Sequence, residues 1–497
     1  MSPAAPSSFP KKDYIHYAIA LVIGLLIALL GRPGPESALT QDGVWVLAIS
    51  IPILYLWMTA DLTWTSLLFF ALLGLTRVVM PVGLIFQEAL GHFAVILVLV
   101  FIMLDGCLNE TGAIKKVANW FITRKFVQGR PYAFLAMFFG ANLFVGLFMQ
   151  NLALAVMYLA LTVKLCETIG VDKKHSLYKI MMLGTLWGNG VLSISSPIAK
   201  FFPNFLIGWI RDNHGVDISY AQWFAVGIPF TIIMFLLTML VVRLIKPDVS
   251  PLMKFNVEEF KKEHDPPLGK RGKIAMIVFV ILLFFILAPD IIYVAGAGGA
   301  LLRIAAYFRS LGMAGPTILA ILAIVVLVLI RAEGKPVLDI KVAVANVSLG
   351  FIIFFAAAVY LGIMFGDPRT GIGPWLGSLI EPVVGGMPPF AILVVLMVIG
   401  LILSQFMTNV VIVTLFITLG VPMFYGGDIG PITYIILVGF MACMSCATPP
   451  SVVTAALYYG PGYIEAKNVL KQNLLFLLFA LIGVLVMTPI VMGIIGG

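Results

Sequence analysis

Apolar residues in this chain come in long runs, at 14–31, 43–60, 62–80, 92–109, 131–166, 178–210, 220–245, 274–295, 315–331, 343–364, 387–420, 432–460 and 473–495. About 20 apolar residues cross a bilayer core, so most runs predict a single spanning helix. Four do not fit. Runs 131–166 and 387–420 are long for one crossing, and each has polar side chains near its middle, Gln150-Asn151 and Thr408-Asn409. Runs 178–210 and 432–460 are interrupted by "WGNGVLSISSP" (Trp187 to Pro197) and "SCATPPS" (Ser445 to Ser451). Proline removes a backbone donor and blocks the helix, so these two read as broken helices.

Charge decides how the runs thread. Loop 110–130 carries Lys115, Lys116, Arg124, Lys125 and Arg130, and loop 167–179 carries Lys173, Lys174 and Lys179. Lysine and arginine mark cytoplasmic loops, so run 131–166 enters and leaves on one face. Loop 365–386 sets Arg369 against Asp367 and Glu381, and loop 421–431 has no base. Run 387–420 therefore enters and leaves on the opposite face. Charge alone also permits two full crossings each; the mid-run polar residues favour re-entrant hairpins. The threading gives an all-α polytopic protein of the cell membrane, with about 11 transmembrane helices plus two hairpins. Its N-terminus is cytoplasmic and its C-terminus outside. Segment 1–13 is cytoplasmic, and Lys11 and Lys12 precede an uncleaved first span. Linker 246–273, with Lys254, Lys261, Lys262, Lys270, Arg271 and Lys273, is cytoplasmic too, as are Arg331, Lys335 and Lys341. Arg303 and Arg309, in 296–314, are the misfits.

Two halves follow, 14–245 (first span and first repeat) and 274–497 (second repeat and last span). "FMQNLALAV" from Phe148 parallels "FMTNVVIVT" from Phe406, at an offset of 258. Thr111-Gly112 parallels Thr370-Gly371 at 259, and Ser196-Pro197 parallels Thr448-Pro449 at 252. Three matches in one order, in halves of opposite orientation, describe an inverted-topology repeat. Hairpin tips and helix breaks leave backbone groups unsatisfied, tolerable in a membrane only inside protein or beside a wet cavity. Half-helix N-termini favour anions, and freed carbonyls can hold a small cation.

Composition narrows the class. Apolar residues are 61% and charged residues 11%, against about a quarter charged in soluble domains. The net charge of +8 lies in short loops and reports orientation, not nucleic acid. The cysteines Cys107, Cys166, Cys443 and Cys446 read as small buried thiols. Phosphate loop, catalytic triad and zinc motif are absent from the sequence, so the chain reads as a carrier and not an enzyme.

With its hairpins and broken helices in this order, and with "CATPPS", the chain resembles the divalent anion:sodium symporter family of dicarboxylate, citrate and sulfate carriers, from about Leu39 onward. That family carries Ser-Asn-Thr at each tip. Here the tips read Gln150-Asn151-Leu152 and Thr408-Asn409-Val410. The resemblance implies alternating access, a homodimer, small anionic substrates and sodium as a coupling ion, with no other cofactor. It implies a substrate site built from Gln150, Asn151, Ser196, Pro197, Thr408, Asn409, Val410, Thr448 and Pro449. Sodium candidates are Gly146, Asn151 and Ser195 in the first repeat, and Ser404, Thr408, Asn409 and Ala447 in the second.

Lys200, three residues past Pro197, joins the candidates on physical grounds. A lysine at mid-membrane costs about 3 kcal/mol on insertion scales and marks function by default. Its ammonium could replace the first sodium or pair with an anionic substrate; alternatively it snorkels to the outer interface. Asp105 reads as a helix-end or loop-facing residue in preference to a proton relay, and Trp187 as packing in preference to ligand stacking. The runner-up function is a cation/proton antiporter or efflux carrier of the same superfamily. That reading calls for carboxylates at the site, and the sequence shows none at either tip.

Overall fold

Both over-long runs fold as two helices separated at their polar residues. In this computed structural model the first is Pro131–Gly146 followed by Asn151–Thr168, and the second is Pro389–Leu403 followed by Asn409–Gly420. At about 1.5 Å per residue, the 16-residue first arm reaches about 24 Å, short of a ~30 Å hydrocarbon core, whereas its partner arm Asn151–Thr168 is among the helices long and apolar enough to span one. The other interrupted runs also break where the sequence placed breakers. Ser176–Ser195 gives way to Phe201–His214, and Pro431–Ala442 to Val453–Tyr459. The structure describes residues 11–34, 37–76, 82–295, 298–384, 386–448, 451–459 and 462–496. Pro449, a predicted substrate contact, lies outside them.

The chain is a multi-pass helical membrane protein. Among the described residues, six helices are long and apolar enough to span a bilayer alone, and a seventh span arises if the bent pair Ala300–Ser310 and Gly315–Leu329 counts as one. Exposed leucines recur on one face of Tyr220–Ile245, at Leu236, Leu240 and Leu244, while Trp223, Phe230 and Met234 are buried. Large apolar side chains left outward are expected of a chain solvated by lipid.

Two compact units divide the chain. One comprises Met1–Val95, Ser348–Gly386 and Thr418–Met423, and within it Trp57 meets Phe354 edge to face at 5.0 Å. The other comprises Ile96–Val347, Met387–Ile417 and Phe424–Gly497, and it holds both hairpin tips and both broken helices. Each unit draws segments from both halves of the sequence.

Several stretches expected as loops carry helices, Val257–His264 in the linker 246–273 among them. Ala113–Ile122 occupies 110–130, Ile372–Val384 occupies 365–386, and Ala300–Ser310 occupies 296–314. Ala113–Ile122 buries Ala113, Ile114, Ala118 and Ile122 on one side, a helical stripe hidden in the sequence by its lysines. The paired Thr-Gly motifs start Ala113–Ile122 and Ile372–Val384. Gly112 and Gly371 have φ of 74° and 64°, a left-handed geometry that glycine adopts without a Cβ penalty. The preceding threonines bond back to carbonyls, Thr111 to Cys107 at 2.8 Å and Thr370 to Asp367 at 2.7 Å. The linker 246–273 is docked, with Phe255 buried against Phe134 at 4.8 Å. Arg309, one charge-bias misfit, is neutralised locally by Asp290 at 3.0 Å and lies over the Tyr293 ring.

Candidate functional site

The first tip is a closed polar cluster. Gln150 caps the helix Asn151–Thr168, its side-chain oxygen accepting from the N–H of Leu152 (2.7 Å) and Ala153 (3.2 Å). That commits to capping the oxygen expected at a ligand. The Gln150 N–H donates to Asp105 Oδ2 at 2.6 Å. Asn151 Nδ2 donates to the Asn189 carbonyl at 3.3 Å and to Ser193 Oγ. Asn151 Oδ1 and the Met149 carbonyl both accept from Lys200 Nζ.

Lys200 is therefore not at an interface. It is 2% exposed and points into the tip. The helix break sets this direction. Ala199 has φ of 55°, a left-handed conformation that costs a non-glycine residue about 1–2 kcal/mol. Asn204 Nδ2 then clamps the Pro197 and Lys200 carbonyls at 2.7 Å each. Asp105, expected at a helix end, is instead 3% exposed, in electrostatic range of Lys200, with Oδ1 lacking a hydrogen-bond partner. A carboxylate is thus present at a tip where the sequence showed none, because Phe93–Glu110 continues past it to Glu110.

The second tip repeats one contact and leaves others open. Ser445 Oγ donates to Asn409 Oδ1 at 2.6 Å. Asn151–Ser193 and Asn409–Ser445 thus join matching positions, at the sequence offsets of 258 and 252. Here the remaining groups are unpartnered: Asn409 Nδ2 and Thr408 Oγ1 are buried without hydrogen-bond partners. Val410 is buried beside them in the chain.

Gln405 ties this tip to the broken helix. Its Oε1 accepts from the N–H of Cys446 and Ala447, both at 3.0 Å, and its Nε2 donates to the Met444 carbonyl at 3.2 Å. Thr448 donates its hydroxyl to the Gln405 carbonyl. Leu147 stands at the matching position of the first tip. Gln405→Leu strands two buried N–H groups, each worth about 1–3 kcal/mol. Its unfolding free energy in detergent is expected to fall on the order of 3 kcal/mol, and a change near zero would show that those donors find other partners.

The other predicted residues sort by what they already bond. Ser195 Oγ is taken by the Val191 carbonyl at 2.7 Å, and Ser196 Oγ accepts from Ile198 N–H at 3.1 Å. Ser404 Oγ donates to the Leu401 carbonyl at 2.8 Å. Gly146 is closed in by Leu192 and Leu154, so it reads as a packing glycine. Trp187 is fully buried, stacked on Phe476 at 4.7 Å and bonded to Asn473, which is packing. The four cysteines are buried free thiols. Sequence reasoning missed Asp105 as a site residue, Ser193 and Gln405. Serines in "SISSP" could not be ranked by pattern, but the match of Ser193 to Ser445 at offset 252 was available.

The citrate transporter family model matches residues 45–439, most of the chain. The sodium-dependent dicarboxylate transporter SdcS of Staphylococcus saprophyticus subsp. saprophyticus is 24% identical over 521 residues, covering 97% of this chain and 94% of that protein. SdcS of Staphylococcus aureus strain USA300 is 24% identical over 508 residues, covering 96% and 92%.

Proposed function

The chain belongs to the citrate transporter family and with it to the divalent anion:sodium symporters, and from that premise we propose that it carries di- or tricarboxylates by alternating access. Secondary active transport of a small anion is the common activity of that group. One observation carries the choice of site: the buried, unpartnered Asn409 Nδ2 and Thr408 Oγ1. Both can donate to a carboxylate oxygen, and donors to an ionised acceptor are worth roughly twice those to a neutral one. They stand at the start of the helix Asn409–Gly420, whose N-terminal dipole also favours an anion. Thr448, whose hydroxyl donates to the Gln405 carbonyl, ties the broken helix to this tip.

Sodium, as co-transported cargo, fits the same tip. Thr408 has a free hydroxyl oxygen, and the resemblance adds Ser404, Asn409 and the Ala447 carbonyl. A hard alkali cation takes such oxygens. The first tip fits sodium poorly, because Asn151 Oδ1 and the Met149 carbonyl already hold an ammonium. Lys200 is for the same reason a poor substrate ligand: its partners are the tip, and Asp105 balances its charge. Asp105 is the carboxylate an antiporter would need, but the lysine matches it. The family implies a homodimer.

The test is thermal unfolding of purified protein with mono-, di- and tricarboxylates and sulfate, with and without sodium. Di- or tricarboxylates are expected to raise the midpoint saturably, by mass action, and more strongly with sodium. No response to any anion would defeat the carrier reading.

A further inference from the structure

We propose that Lys200 is a tethered cation that permanently fills the cation position of the first hairpin tip, and that Asp105 is the positioning residue that keeps it there. The atoms around the ammonium are those an alkali ion would seek. They are a main-chain carbonyl (Met149), an amide oxygen (Asn151 Oδ1) and, within electrostatic range, a buried carboxylate with one unpartnered oxygen. Unwound carbonyls beside half-helix ends hold sodium in carriers of this architecture. Here they hold Nζ. The arrangement is built at both ends. The base of the side chain is fixed by Ala199 at positive φ and by Asn204, itself held by the Tyr220 hydroxyl. The far end meets a tip whose backbone is pinned by Asp105 through the Gln150 N–H.

The contrast with the second tip strengthens the inference. Asn409, the match of Asn151, has no lysine on its amide and keeps an unpartnered nitrogen. Position 452, which matches Lys200 at offset 252, is valine. One tip therefore carries its own cation, and the other is left to bind one from solution. The consequence is for stoichiometry: sodium, where it couples, couples through Thr408 and Asn409 alone. The inference rests on the carrier reading only for that last statement.

The test uses purified full-length protein with chloride as the only anion and choline as the reference cation. In Thr408→Ala/Asn409→Ala protein, which disables the second tip, sodium is expected to give no shift over choline. Adding Lys200→Ala vacates the first position, and a saturable sodium-specific rise of at least ~3 °C in the midpoint is expected. Methylammonium should restore stability to the same protein. Asp105→Asn added to it should abolish the sodium response. A sodium-specific shift in Thr408→Ala/Asn409→Ala protein would overturn the proposal, and that arm needs no change at Lys200. A folded Lys200→Ala protein indifferent to both sodium and methylammonium would overturn it too. Carboxylates are absent throughout, so failure here leaves the carrier reading to its own screen.

Discussion

Lys200→Met and Asp105→Leu are each expected to destabilise the protein by on the order of 3–5 kcal/mol, and the double variant by much less than their sum. A buried charge that loses its partner keeps its desolvation cost and recovers nothing for it. Both groups are almost fully buried, and the membrane core offers no water to compensate. Removing both leaves a neutral tip. What remains lost is the acceptor for the Gln150 N–H, worth about 1–3 kcal/mol, and the two acceptors that Lys200 served. A double-mutant cycle of unfolding free energies reads the coupling directly. Strictly additive losses would show that the two charges do not balance each other, and the account of the first tip would fall. Uptake should follow a different pattern. The double variant is expected to fold yet transport poorly, because its tip has neither an ammonium nor a carboxylate to hold a replacement cation.

Much of this architecture was legible because the membrane enforces it. Polar residues in an apolar run must be buried in protein, so Gln150-Asn151 and Thr408-Asn409 announced breaks, and the helices do stop at Gly146 and Leu403 and restart at the two asparagines. Proline is an equally local signal, which is why the break at Pro197 could be placed from sequence, whereas Gly112 and Gly371 were legible only as a repeat match and not as the helix starts they are. Contacts that depend on tertiary approach could not be read. Asp105 is 45 residues from Gln150, and its neighbours Asn109 and Glu110 made it resemble a helix end; only the packed tip makes it interior. Gln405 lies between motif residues, and its role requires knowing that the break at Cys446 and Ala447 comes within 3.0 Å of it. Lys200 illustrates the limit most sharply: sequence supplied its depth, but not whether its ammonium met tip, substrate or interface.

Asn409→Asp is expected to cut uptake of a dicarboxylate per folded molecule by ~10- to 150-fold and, because it buries a carboxylate with no cation beside it, to lower the thermal midpoint. The substitution is nearly isosteric. It keeps an oxygen for the Ser445 hydroxyl, which donates at 2.6 Å, and changes only the unpartnered Nδ2 from donor to acceptor. A hydrogen bond to a charged group contributes about 1.5–3 kcal/mol, which at 1.36 kcal/mol per decade gives the stated range; repulsion between two carboxylates can only add to it. The matched change at the other tip separates site from scaffold. Asn151→Asp still offers an oxygen to Lys200, and Ser193 can reverse its bond to that residue. Its charge meets an ammonium instead of a substrate. Uptake should therefore fall by less than 10-fold, with the thermal midpoint lowered less than in Asn409→Asp, because an ammonium faces the new charge. Rates and midpoints measured on the two variants side by side decide the matter. Equal losses of uptake would mean that both tips bind substrate alike, and that the lysine at one of them does not set the two apart.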